Sequence, residues 1–197
     1  MRRAGRVLLR LAAAGMVVAA SATVSATAAH AEDINSLTVE ATVEPDTSLR
    51  VVEKIEYDFE GEYRHGIFRD IPVYDETLAG KRRTYAVDVE SVTMDGGYVP
   101  WQESDDGPFR HLRIGDPDQT ITGAHTYVVT YTVQDALRVI SQSDTDDPLF
   151  PTNVSPGDVE LFWDFVGTGW DVPIRTASAT VLGPASVLSA KCYYGPG

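Results

Sequence analysis

The sequence predicts an all-β domain, an antiparallel β-sandwich of immunoglobulin-like or jelly-roll-like kind with at most one short helix. Three observations point there. Apolar residues recur with period two rather than 3.6. Short alternating runs follow one another at near-regular spacing, and Gly, Pro and Asp mark the turns between them. One segment alone, Gln134 to Ser141, has the composition for about two turns of helix.

In order, Leu37, Val39, Ala41 and Val43 alternate with Thr38, Glu40 and Thr42, and Pro45-Asp46-Thr47-Ser48 turns the chain. Leu49, Val51, Ile55, Tyr57 and Phe59 then share one parity, completing a first hairpin with one buried face. Tyr85, Val87 and Val89 begin the next strand. Its apolar parity slips to Val92 and Met94, which predicts a bulge near Glu90-Ser91. Asp95-Gly96-Gly97 turns into Tyr98-Val99-Pro100-Trp101. Phe109 to Ile114 reads as a short strand closed by Gly115-Asp116-Pro117-Asp118, and His125 to Val133 gives the clearest alternation in the chain. Val159 to Phe165, Val172 to Leu182 and Val187 to Tyr194 complete the expected strands, and the polar, proline-bearing stretch 141–157 reads as a loop.

The chain divides into a leader, residues 1–31, and one domain, residues 32–197. Arg2, Arg3 and Arg6 precede an apolar run from Leu11 to Ala20, and Ala29-His30-Ala31 places small residues at a cleavage position. This is the layout of a secretory signal peptide, and the run is too short to cross a bilayer. The expectation is a secreted or extracytoplasmic protein cut near Ala31. The leader carries four arginines and no acid, so the remainder holds 12 basic against 29 acidic residues, a net charge of −17. Such a field excludes nucleic acid as a partner and disfavours anionic lipid, leaving membrane association only to an anchor outside this chain. The single cysteine, Cys192, reads as an unpaired disulfide half in an exported protein.

Glu53 breaks the pattern of its strand because it shares parity with Val51 and Ile55, and a lone buried carboxylate is too costly to keep. It needs a cation, and Arg64 and Arg69 are the candidates, with a structural Glu53–Arg69 pair preferred to a catalytic acid. Trp163 and Trp170, with Asp164 and Asp171, have the make-up of a sugar-binding surface, although each tryptophan also suits a packing role. Asp144, Asp146 and Asp147 offer hard oxygens for calcium but lack the glycine and distal glutamate of an EF-hand loop. His65, His111 and His125 are isolated, so no transition-metal site is read, and no nucleophile elbow, phosphate loop or dinucleotide motif calls for a cofactor or assigns a catalytic residue.

Three stretches together resemble one family: Leu49-Arg50-Val51-Val52-Glu53 running on to Gly66-Ile67-Phe68-Arg69-Asp70-Ile71-Pro72; Leu112 to Asp116 with Gly123 to Tyr131; and Glu160-Leu161-Phe162-Trp163-Asp164 with Gly167 to Ile174. They are similar to the N-terminal extracytoplasmic part of bacterial predicted membrane proteins that carry the domain of unknown function 2207. The resemblance implies an exported β-domain followed in longer members by transmembrane helices, and it brings no catalytic residue. It also implies a partner for Cys192 in a further segment, so this chain reads as a shortened version with an open sheet edge. The expected role is a non-enzymatic module that binds a protein or cell-envelope component. The alternative is a carbohydrate-binding or carbohydrate-active protein that uses Trp163, Trp170 and neighbouring acids.

Overall fold

A computed structural model describes residues 32–76, 82–145 and 153–190. The leader, Cys192, Asp146 and Asp147 lie outside those residues, as does the side chain of Asp144.

The clearest alternating runs form strands. β1 (Asp33–Val43) and β2 (Leu49–Asp58) form an antiparallel hairpin, and Leu37, Val39, Ala41, Val51 and Ile55 face inward. Asp46 holds the turn between them by accepting from the Ser48 amide at 3.0 Å and from its hydroxyl at 2.6 Å. β3 (Ile67–Pro72) is followed by a short ribbon, β4 (Tyr74–Glu76) and β5 (Arg82–Thr84). β6 (Ala86–Met94) carries the bulge, because Tyr131 pairs with Val89 and Thr130 with Ser91, which leaves Glu90 unopposed. Asp95 and Gly96, both at positive φ (51° and 77°), then form a two-residue turn into β7 (Gly97–Tyr98).

β8 (Trp101–Asp106) and β9 (Phe109–Ile114) make the next hairpin, and β10 (Ala124–Gln134) returns to pair with both β2 and β6. Tyr127, Val129, Tyr131 and Val133 of β10 are all fully buried. Each such side chain is worth about 1.5–3 kcal/mol on leaving water. β11 (Leu137–Val139) pairs with β12 (Val159–Leu161), and β13 (Ala177–Leu182) closes the order.

Two sheets carry the core. One has six strands in the order β13-β1-β2-β10-β6-β7; the other has three, β3-β9-β8. Ile67, Ile71, Leu112 and Ile114 of the smaller sheet join the inward residues of the larger one in a single buried cluster. β2, β3 and β9 alternate core-facing and solvent-facing side chains, as strands with one buried face do.

Several expectations are corrected. Gln134 to Ser141 is not helical: Asp135 sits in the left-handed region (φ 63°) and breaks the run, and Leu137–Val139 pairs as a strand. The one helical turn, α1 (Gln142–Thr145), follows it. The strand from Val159 stops at Leu161, because the Asp164 carboxylate accepts from the Val166 and Gly167 amides and draws the chain into a turn. The Val172 strand starts only at Ala177, and it runs parallel to β1, a direction that alternation cannot reveal. Of the stretch expected from Val187 onward, residues 187–190 are not strand and the remainder lies outside the described residues.

Candidate functional site

The parity that makes Ile67 and Ile71 core residues also turns Arg69 inward from β3, opposite Glu53 of β2. The two meet in a fork: Arg69 Nε donates to Glu53 Oε2 and Nη2 to Oε1, both at 2.7 Å, with exposures of 1% and 0%. Tyr131 of β10 donates its hydroxyl to Glu53 Oε1 at 2.7 Å. Arg69 also donates through Nη1 to the Asp70 carbonyl at 2.6 Å. Burial acts to lower the Arg69 pKa, but the charge and hydrogen bonds of Glu53 outweigh it and hold it above the usual guanidinium range. Burial, reinforced by Glu53, pushes the Tyr131 phenol well above its ordinary value. The two-bond fork between β2 and β3 thus fastens the two sheets together. Arg64, the other candidate partner, instead reaches Glu32 at 2.5 Å.

The Trp163–Asp171 segment gathers around this pair. Trp163 is 8% exposed, its ring met edge-on by Tyr85 at 5.1 Å and approached by Tyr131 at 6.5 Å, so it presents no open face. Trp170 is half-buried, with the Arg69 guanidinium 5.2 Å from its ring centre and its own Nε1 donating to the Val166 carbonyl at 2.7 Å. A side chain at Gly167 would reach within 2.5 Å of Arg69 Nη1, and one at Gly169 within 2.7 Å of Asp70 Oδ2. Bare backbone therefore lets this loop close on β3. Asp164 is spent on the turn amides, and Asp171 is exposed.

Residues next to the inward set point out. On the far side of the smaller sheet, Phe68, Arg113 and Gln102 lie in one cross-strand row, and Asp70, His111 and Ser104 in the next. Asp70 Oδ1 meets His111 Nδ1 at 2.6 Å, and the Phe68 ring stacks on that imidazole at 5.1 Å with 25° between planes. Phe68 remains 53% exposed. His125 pairs with Asp95 at 2.7 Å, and His65 lies 2.9 Å from the Gln119 carbonyl. At the end of this face, Tyr98, Pro100, Trp101 and Pro117 surround Gln102 and Arg113 in a shallow hollow of about 100 Å³. No group of three or more His, Cys, Asp or Glu side chains able to hold a metal occurs among the described residues.

Neither Phe68 nor His111, nor the Tyr98–Arg113 hollow, was a candidate from the sequence. Phe68 could have been found, since it is a large aromatic on the outward parity of a strand whose inward parity carries the apolar Ile67 and Ile71. His111 and Arg113 could not, because their significance comes from strands paired across more than forty residues.

A family profile described as predicted membrane protein (DUF2207) N-terminal domain matches residues 33–196. Uncharacterized protein YciQ of Escherichia coli (strain K12) is 25% identical over 147 residues, which is 74% of this chain and 21% of that protein. The chain therefore spans about a fifth of that relative. Among solved structures, native yeast LTA4 hydrolase resembles the fold with a TM-score of 0.50 at 14% identity, over 78% of this chain and 23% of the other. The M1 zinc metallopeptidase from Deinococcus radiodurans gives 0.36 at 12% identity, over 52% and 20%. At such identities the likeness to yeast LTA4 hydrolase is one of fold alone. Among the described residues no helix is long and apolar enough to cross a membrane.

Proposed function

The chain belongs to the N-terminal domain family of the DUF2207 predicted membrane proteins, and from that premise we propose that it is a non-enzymatic recognition module of the cell envelope, docking through the outer face of β3-β9-β8. The observation that carries this reading is the Phe68–His111–Asp70 cluster. An aromatic ring more than half exposed is held in place by stacking on an imidazole that is itself fixed by a carboxylate. Side chains immobilised before contact lose little entropy on binding, and aromatic anchors of this kind supply most of the energy of small interfaces. The inner residues of the same strands serve the fold, through the Glu53–Arg69 pair, which leaves the outer residues free for contact. The partner is a protein or another envelope component on the extracytoplasmic side.

Co-sedimentation of the purified protein with isolated cell envelopes tests the reading. Wild type pellets with the envelopes, and the Phe68→Ala/His111→Ala double variant stays in solution, while an exposed control on the opposite sheet, Lys54→Ala, pellets as wild type does. Equal sedimentation of wild type and the double variant would remove this face from consideration.

A further inference from the structure

Arg113 stands apart from every other cation of the described chain. Arg50, Lys54, Arg64, Arg69, Arg110, Arg138 and Arg175 each pair with a carboxylate. Arg83 donates to the Asp135 and Ala136 carbonyls, and Arg82 lies over the Tyr74 ring. Among the described arginines and lysines, Arg113 alone has no side-chain ion pair, hydrogen bond or ring contact. In a protein with 29 acidic residues against 16 basic ones, an uncommitted guanidinium is conspicuous. Nearby acids are engaged elsewhere: Glu103 and Asp105 with Arg110, and Asp116 with the Asp118 amide and the Gln119 side chain.

Arg113 lies in a shallow hollow lined by aromatic, proline and amide side chains. Tyr98 is 82% exposed, and with Pro100, Trp101 and Pro117 it walls a hollow in which Arg113 is the sole charge and the Gln102 amide lies beside it. Aromatic and proline walls of this kind suit an extended, proline-containing segment, whose backbone needs little ordering. A guanidinium with all its donors unused suits a carboxylate, which it can grip with two parallel bonds.

We propose that the Tyr98–Trp101–Arg113 hollow binds an acidic, proline-containing peptide segment of a partner protein, its carboxylate on Arg113 and its prolines against Tyr98 and Trp101. This rests on the reading that the outer face of β3-β9-β8 docks a partner, and it names the chemistry of that partner at one end of the face.

The test is a titration of the isotopically labelled protein with the capped peptide Pro-Pro-Glu-Pro-Pro, observed at the Trp101 indole N–H and assigned with Trp101→Phe. A saturable shift at Trp101 is expected, weakened by added salt. Replacing the peptide glutamate by glutamine, or Arg113 by Gln, is expected to weaken binding at least about tenfold, the loss of one charge-assisted bond. Tyr98→Ala, at a position 82% exposed, supplies a second variant with the same expectation. No saturable shift at Trp101, binding that Arg113→Gln leaves unchanged, or glucuronate saturating the site where the peptide does not, would each overturn the proposal. If envelope sedimentation depends on Phe68 while peptide binding fails, the docking face stands and this assignment alone falls.

Discussion

Replacing Arg69 by Met separates the contribution of the buried pair from that of ordinary packing. The substitution keeps most of the side-chain volume but removes both bonds to Glu53, the bond to the Asp70 carbonyl and the cation facing Trp170. Glu53, fully buried, is left with the Tyr131 hydroxyl as its donor. A buried carboxylate stripped of its cation costs about 3–5 kcal/mol, against a total stability of roughly 5–15 kcal/mol for a domain. With a urea slope near 2 kcal/mol per molar, the unfolding midpoint falls by about 2 M. Fluorescence of Trp163 and Trp170, both beside the pair, reports the transition. Glu53→Leu alone loses a similar amount, since it strands Arg69 in turn. The triple variant Glu53→Leu/Arg69→Met/Tyr131→Phe recovers most of the loss, because an apolar trio leaves no charge or hydroxyl without a partner. A loss under about 1 kcal/mol for Arg69→Met, or no recovery in the triple variant, would refute the account of a charge pair fastening the two sheets.

Other outcomes follow from the same geometry. Gly66→Ala and Gly115→Ala each place a Cβ within 2 Å of a facing carbonyl, 1.9 Å from Ile114 O and 1.8 Å from His65 O, at φ values of 137° and 140°. Each variant is expected to unfold at markedly lower urea or fail to accumulate as folded protein; wild-type melting of either would contradict the close backbone approach. Burial raises the phenols of Tyr57, Tyr127 and Tyr131 above the ordinary value near 10. Their contribution to stability is therefore fully present below about pH 10 and is lost as pH rises toward their folded values, so tyrosinate absorbance for these three is expected to appear together with unfolding rather than before it. Asp95 shows the opposite sign: the Thr126 amide and then His125 hold its carboxyl below the usual range, so its contribution is present above about pH 4 and fades as acid protonates it, a dependence that Asp95→Asn is expected to abolish in acid melts. On a glycan array no signal depending on Trp170 is expected, since its ring already faces Arg69; a signal lost in Trp170→Ala would revive the saccharide alternative.

How much of this was legible in the chain depends on how local the signal is. Period-two alternation located β1, β2, β6 and β10, and the parity slip at Glu90-Ser91 located the bulge, because each is written in consecutive residues. Glu53 is conspicuous as an acid in an apolar parity, and Arg69 is its counterpart between Ile67 and Ile71. The same test applied to Tyr127-Val128-Val129-Thr130-Tyr131 marks Tyr131 as inward. It gives no hint that its hydroxyl reaches Glu53, 78 residues earlier, because that contact depends on strand register. Trp163 and Trp170 were visible as aromatics beside acids, but composition does not reveal that Tyr85 and Tyr131 meet the Trp163 ring while Arg69 faces that of Trp170. The parallel course of β13 was hidden for a related reason: alternation records which side chains face in, and says nothing of strand direction.

Alternation also links the two faces of β3. Arg69 points in and Asp70 points out, so the residue that fastens the sheets is covalently next to the one that orients His111. Arg69 Nη1 holds the Asp70 carbonyl, and the Gly167–Trp170 loop touches Arg69 and Asp70 at successive bare glycines. A change that lets Arg69 swing is therefore expected to loosen Asp70, and through it the imidazole on which Phe68 stacks. Residues in one such network couple by about 0.5–3 kcal/mol, whereas distant sites add independently. The outer aromatic cluster thus sits directly above a charge pair that the solvent never meets.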